Sequence, residues 1–253
     1  MQAPVALPGY ERLAGTIPVV HPPRLAERAR GLLVLLRDGA ETLSGLLETE
    51  PPELEALLIA ESDWAQAPRE GRRAYPYGLP YFTRSIRPPA LVLPEDLTPM
   101  IRPRTSATWP LVVWHELAHA FLLRREVVRT PAWLGELIPQ AASATVALRV
   151  GLPLEEYLSN VDPSPGFTVR SLGGRADAQT QMAFQNLLLG LGAAALAEFG
   201  EGWLKRLVHA LWGEQEIVSE GRAEEMLADA LGPRGREWLR LRPEFGELAG
   251  DGH

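Results

Sequence analysis

The sequence predicts an α+β fold, in which an amino-terminal part of mixed helix and strand precedes a mostly helical part. Apolar residues recur on one helical face from residue 25 to about residue 48, and short apolar segments bounded by prolines occur within the first hundred residues. Beyond residue 105 the apolar pattern is helical almost throughout. The 253 residues, 46% of them hydrophobic, suffice for a sizeable core. A chain of this length buries about 70% or more of its unfolded surface.

The amino-terminal elements are predicted to be three strands and one helix. The strands cover residues 16–20, 55–60 and 90–93, and the one-faced helix covers residues 25–48. The third strand has Pro88 and Pro89 before it and Pro94 after it. Because proline cannot donate to a sheet ladder, we expect this strand at an edge of the sheet. A turn-rich aromatic loop is predicted over residues 75–82.

The helical part begins after residue 105. Thr108 is a candidate cap for a helix that starts at Trp109-Pro110 and runs to about Arg125. Further helices are predicted over residues 130–150, 176–199, 201–212 and 220–231, with a loop over 163–176. We therefore expect two subdomains in one unit, an α+β subdomain over 1–129 and a helical subdomain over 130–253.

The composition excludes several classes of protein. The absence of cysteine excludes disulfide scaffolds, thiolate metal sites and cysteine nucleophiles. The net charge of −7 argues against a nucleic-acid partner. The first eight residues lack the pattern of a signal peptide, and the apolar stretch 187–197 is shorter than the roughly 18–20 residues that span a bilayer. We expect a cytoplasmic protein without a membrane partner, and the sequence gives no indication of its oligomeric state.

One motif carries candidate chemistry, His115-Glu116-Leu117-Ala118-His119, within the helix predicted after Thr108. Residues four apart share a helix face with Cβ atoms about 5–6 Å apart, so the two imidazoles can bind one metal ion. Glu116 lies beside that face, where it can accept a proton from a metal-activated water without being a ligand. Apolar residues surround the motif, which predicts a buried helix whose polar groups need partners.

A catalytic zinc also needs a third protein ligand and an open position. The next carboxylates along the chain are Glu126 and Glu136. Glu126 is two helical turns beyond His119, about 10 Å along the axis. Glu136 follows a break at Thr130-Pro131 and opens a new helix that can pack back across the first. We favour Glu136, with a surface or capping role as its alternative.

The motif together with Pro131-Ala132-Trp133-Leu134-Gly135-Glu136 resembles the gluzincin zinc metallopeptidases, specifically the peptidase MA-like group. The resemblance implies a zincin-like fold whose edge strand pairs with extended substrate. It implies a single Zn²⁺ held by His115, His119 and Glu136. Glu116 would be the general base in the hydrolysis of peptide bonds, so the implied partner is a peptide or protein substrate.

The chain departs from the pattern of that group at three places. Leu137-Ile138-Pro139 stands where Gly-Leu-Ala is usual, which requires Pro139 to lie in the first turn of its helix or to kink it. Gln140 takes the place of an acidic residue that holds a zinc-bound histidine, and its carbonyl oxygen is a weaker acceptor for that purpose. Phe184 stands where a tyrosine often steadies the oxyanion.

An oxyanion donor besides the metal is still expected. The candidates are Tyr157, His209 and Tyr77, with Tyr75 and Tyr81 from the same aromatic loop as Tyr77. Because of the three departures, an alternative is a weak or inactive protein in which zinc is structural and a cleft binds a protein partner. A third hypothesis is a helical scaffold without metal.

Overall fold

The structure of the protein, a computed structural model, describes residues 7–71, 75–101, 105–124, 128–159, 167–171 and 178–246. The chain divides into two compact units. One comprises Met1–Gly45 and Thr49–Phe121, and the other comprises Leu46–Glu48 and Leu122–His253. Helices and a small five-stranded sheet make up the fold, which confirms the α+β class.

The sheet belongs to the first unit and has the strand order β1-β2-β3-β5-β4. Its strands are β1 (Glu11–Leu13), β2 (Val19–His21), β3 (Glu55–Ile59), β4 (Tyr81–Thr83) and β5 (Ala90–Pro94). The inner pairs β2–β3 and β3–β5 are parallel, and the outer pairs β1–β2 and β4–β5 are antiparallel. Every residue of β3 and β5 is buried, so the core of this unit is built around these two strands.

The expectation that residues 90–93 form an edge strand is wrong. β5 lies between β3 and β4, and the edge next to it is β4. The prolines stand only at the ends of the segment, so Leu91, Val92 and Leu93 keep the N–H groups that an interior strand needs. The predicted loop over 75–82 is also wrong at its end, because Tyr81 begins strand β4.

The first unit also contains nearly all of two α-helices, α1 (Ala26–Leu47) and α2 (Thr108–Leu122), both close to their predicted bounds. Their packing depends on Gly39, where an added Cβ would lie 2.7 Å from Cδ1 of Trp114 and 2.8 Å from Cδ2 of Leu117. Trp114 also donates from its indole nitrogen to the carbonyl of Leu35 at 2.8 Å. These contacts fix both the position and the rotation of α2 on α1.

The second unit is helical. Its helices are α3 (Ala132–Arg149), α4 (Leu154–Ser159), α5 (Ala178–Phe199), α6 (Gly202–Gly213), α7 (Glu220–Leu231) and α8 (Gly235–Arg240). α3 and α5 pack closely, because an added Cβ at Gly192 would lie 3.1 Å from Cα of Ala141. Four of these helices were predicted with boundaries within about two residues, whereas the short α4 and α8 were not predicted.

Long-range hydrogen bonds reach Leu122 and Arg129, which come before α3 in the chain. The indole of Trp212 donates to the carbonyl of Leu122 at 3.0 Å, and the amide of Val218 donates to the carbonyl of Arg129 at 3.0 Å.

Pro139 lies inside α3 rather than in its first turn, and it is buried. As a proline it cannot donate to the carbonyl four residues earlier, that of Gly135.

Among the described residues, one helical segment is apolar and long enough to cross a membrane, Gln179–Phe199 of α5, with a mean hydropathy of 1.3. The expectation that the apolar stretch is too short to cross a membrane took residues 187–197 alone into account. Because 44% of the apolar window is buried within the protein, and core helices of soluble proteins have the same composition, this segment is weak evidence for a membrane.

Candidate metal centre

His115 and His119 lie one turn apart on α2 and face each other. Their Nε2 atoms are 3.2 Å apart, and their rings meet edge to face with centroids 4.8 Å apart. The rotation of α2 that Trp114 and Gly39 impose therefore fixes the direction of both imidazoles. The predicted pairing of the two side chains is present in the structure.

Glu116 is buried beside the pair, with 8% of its surface exposed, and His115 is 9% exposed. The prediction that the motif lies on a buried helix is confirmed, because Leu117, Ala118 and Phe121 are all nearly inaccessible. A carboxylate in such a place interacts strongly with nearby charges, since water screens them weakly.

Glu136 lies in the second turn of α3, at a helix entrance that is firmly held. Trp133 is 1% exposed, donates from its indole nitrogen to Oε2 of Glu220 at 2.7 Å, and packs edge to face on Phe245 with ring centroids 5.5 Å apart. The Pro131 that precedes the helix has an extended backbone, which suits the residue before a helix. The buried tryptophan thus sets where the helix begins and how Glu136 is rotated.

The carboxylate of Glu136 has an amide partner on another helix. Nε2 of Gln185, on α5, donates to Oε2 of Glu136 at 2.9 Å. Nε2 of Gln140 in turn donates to Oε1 of Gln185 at 2.5 Å. Gln140 therefore acts on Glu136 through Gln185, and its predicted acceptance of an imidazole N–H stays a prediction. Sequence reasoning missed Gln185, because nothing in the local pattern pairs α3 with α5.

The three predicted ligands form one group. One ligand atom from each of His115, His119 and Glu136 lies within 4.8 Å of the others. Two nitrogens bound at about 2.0–2.1 Å to one tetrahedral zinc lie about 3.3 Å apart. The observed 3.2 Å between the imidazole nitrogens fits such a shared ion. It also fits a hydrogen bond between one protonated and one unprotonated nitrogen.

The aromatic candidates for an oxyanion donor belong to a packed cluster of the first unit. Tyr81 donates its hydroxyl to the carbonyl of Pro68 at 2.8 Å, and Tyr75 stacks on Tyr81 with ring centroids 4.3 Å apart. Tyr77 packs edge to face on Trp64, and burial together with the nearby carboxylates raises the pKa of its hydroxyl. These contacts give the cluster a structural role, and the predicted role of Tyr77 is untested.

The other two candidates lie on helices of the second unit. His209, on α6, is exposed, stacks on Trp212, and has its Nε2 atom 2.9 Å from the carbonyl of Leu47. Tyr157 is buried on α4 with 8% of its surface exposed. Neither role is tested by these contacts.

Two further sequence predictions concern Phe184 and Glu126. Phe184 is completely buried in the second unit, where it has a packing role. Glu126, the alternative third ligand, and Arg125, the predicted end of the metal helix, lie outside the described residues.

Comparison with the models of known protein families finds no match to this chain, and no curated protein matches it either. Its function is therefore inferred from the residues of the site.

Proposed function

We propose that the protein is a zincin-like zinc metallopeptidase that hydrolyses peptide bonds in peptides or proteins. His115, His119 and Glu136 would hold the metal, and the observation that carries the proposal is the grouping of their ligand atoms within 4.8 Å. A set of two imidazoles and one carboxylate is a donor set of catalytic zinc, which keeps a fourth position for water or substrate. Zinc supplies a Lewis acid that polarises a carbonyl and makes water more acidic.

Glu116 has the chemical role of moving the proton. It is next to His115 in the chain and projects from α2 about 100° further round the helix than that ligand. Its carboxylate would accept a proton from water as the water oxygen bonds to the scissile carbonyl carbon. When the carbon–nitrogen bond breaks, the same proton would pass to the departing amine, so Glu116 ends each cycle ionised.

The test separates metal binding from hydrolysis with one conservative variant. Glu116→Gln keeps the size of the side chain but cannot take up the proton. We expect it to hold zinc in the same amount as the wild type and to lose about 10²–10⁴-fold in hydrolysis of a quenched fluorescent peptide library. Glu155→Gln, an exposed position on α4, is the matched control and is expected to change neither quantity.

Each result has a distinct meaning. Unchanged hydrolysis in Glu116→Gln would exclude Glu116 as the base, and a wild type that binds no stoichiometric zinc would exclude the metal site. Zinc binding without hydrolysis of any peptide by the wild type would favour the alternative in which the metal is structural.

A further inference from the structure

We infer that Gln185 is a positioning residue for the metal-binding carboxylate of Glu136, and that Gln140 sets the orientation of Gln185. The inference rests on the proposed function. The observation is a chain of two hydrogen bonds, from Gln140 to Gln185 at 2.5 Å and from Gln185 to Glu136 at 2.9 Å. All three side chains are half-buried.

The direction of this chain follows from chemistry. An ionised carboxylate only accepts hydrogen bonds, so Gln185 must turn its NH₂ group towards Glu136. Its carbonyl oxygen then points the other way and needs a donor, which is the NH₂ group of Gln140. Each amide therefore permits only one orientation of the next group, and the chain ends at one oxygen of the carboxylate.

The helices that carry the chain are in close contact. Gln185 lies between Phe184, which is completely buried, and Asn186, which is 6% exposed, so α5 cannot rotate freely at this point. Gln140 is followed by Ala141, the residue that Gly192 approaches most closely. A glutamate side chain has three rotatable bonds, and a fixed partner on a neighbouring helix removes much of that freedom. Ordering the carboxylate before the metal arrives makes metal binding tighter.

The test uses two variants that act on the chain in different ways. Gln185→Leu keeps the approximate volume and removes the donor to Glu136. In Gln140→Glu the new carboxylate can only accept hydrogen bonds, so the NH₂ group of Gln185 turns towards it. The carbonyl oxygen of Gln185 then faces Glu136. Gln179→Leu, the same substitution at an exposed position of α5, is the control.

The measurements are the affinity for Zn²⁺, by competition with a chromophoric chelator, and the visible absorption spectrum of the Co²⁺ form. We expect Gln185→Leu to weaken zinc binding about 10–100-fold and to alter the cobalt spectrum, as the loss of an outer-shell partner does. Gln140→Glu should also weaken binding. An added negative charge acting only through electrostatics would instead strengthen it, so the two explanations differ in sign.

The two proposals fail in different ways. If the wild type binds no stoichiometric Zn²⁺, the proposed function is wrong and the inference falls with it. If the wild type binds Zn²⁺ while Gln185→Leu keeps its affinity and its cobalt spectrum, the inference alone is wrong. Circular dichroism checks the folding of each variant. Should Gln185→Leu not fold, Gln140→Glu decides the matter, and unchanged or tighter binding in that variant would overturn the inference.

Discussion

The histidine pair and Glu136 are positioned by different means. The two histidines share a single helix, so the geometry of the helix sets their separation and a buried tryptophan bonded to the Leu35 carbonyl sets their direction. Glu136 accepts a hydrogen bond from a side-chain amide on another helix. We infer that the first arrangement tolerates changes in side-chain contacts outside α1 and α2, and that the second depends on two half-buried hydrogen bonds. We therefore expect the two parts of the site to respond differently to mutation.

The largest expected effect follows from removing a ligand of either kind. His115→Ala and Glu136→Ala should each weaken zinc binding by more than the roughly 100-fold that a lost outer-shell partner costs. Equilibrium competition with a chelator measures this affinity, with His209→Ala on α6 as the histidine control. Wild-type affinity in Glu136→Ala would show that Glu136 is not the third ligand. The comparison between Glu136 and the histidine pair would then no longer apply.

A smaller effect is expected from disturbing the contact between α1 and α2. In Gly39→Ala the new Cβ would lie 2.7 Å from the ring of Trp114, which is itself held by its hydrogen bond. Overpacking of this kind costs about 1–3 kcal/mol, of which the better helix propensity of alanine returns up to about 1 kcal/mol. Urea unfolding should thus show a net loss of up to about 2 kcal/mol.

Gly31→Ala is the control for that experiment, because nothing lies within 4 Å of an added Cβ at this position of the same helix. It should raise the free energy of unfolding by up to about 1 kcal/mol. Equal stability changes in the two variants would show that α2 does not depend on Gly39.

The smallest effect on stability is expected at the contact between α3 and α5. In Gly192→Ala the new Cβ would lie 3.1 Å from Ala141, so the helices must separate by a few tenths of an ångström. The gain in helix propensity roughly offsets this strain, and the free energy of unfolding should change by less than about 1 kcal/mol. Zinc affinity should nevertheless fall several-fold, because the 2.9 Å bond from Gln185 to Glu136 lengthens.

Gly190→Ala on the same helix meets nothing within 4 Å and should leave zinc affinity unchanged. A stability loss without any change in affinity at Gly192 would mean that Glu136 is as insensitive to its surroundings as the histidine pair.

The sequence predicts what local periodicity encodes. The bounds of α1 and the pairing of His115 with His119 follow from residue spacing along one helix, and both are present in the structure. The order of strands does not follow from local pattern, which is why residues 90–93 were predicted at an edge and lie inside the sheet. The contribution of Gln185 does not follow from local pattern either, because its hydrogen bond to Glu136 forms only when α5 packs on α3.

The long-range bonds that hold the start of α3 have a consequence for biosynthesis. The carbonyl of Leu122 is hydrogen-bonded to Trp212, which comes 90 positions later in the chain. The indole of Trp133 is hydrogen-bonded to Glu220, which comes 87 positions later. On the ribosome, the motif from His115 to Glu136 is exposed well before those partners emerge. The carboxylate of Glu136 would therefore reach its final place only after Glu220 has emerged, and metal loading at the proposed site would follow the synthesis of that later segment.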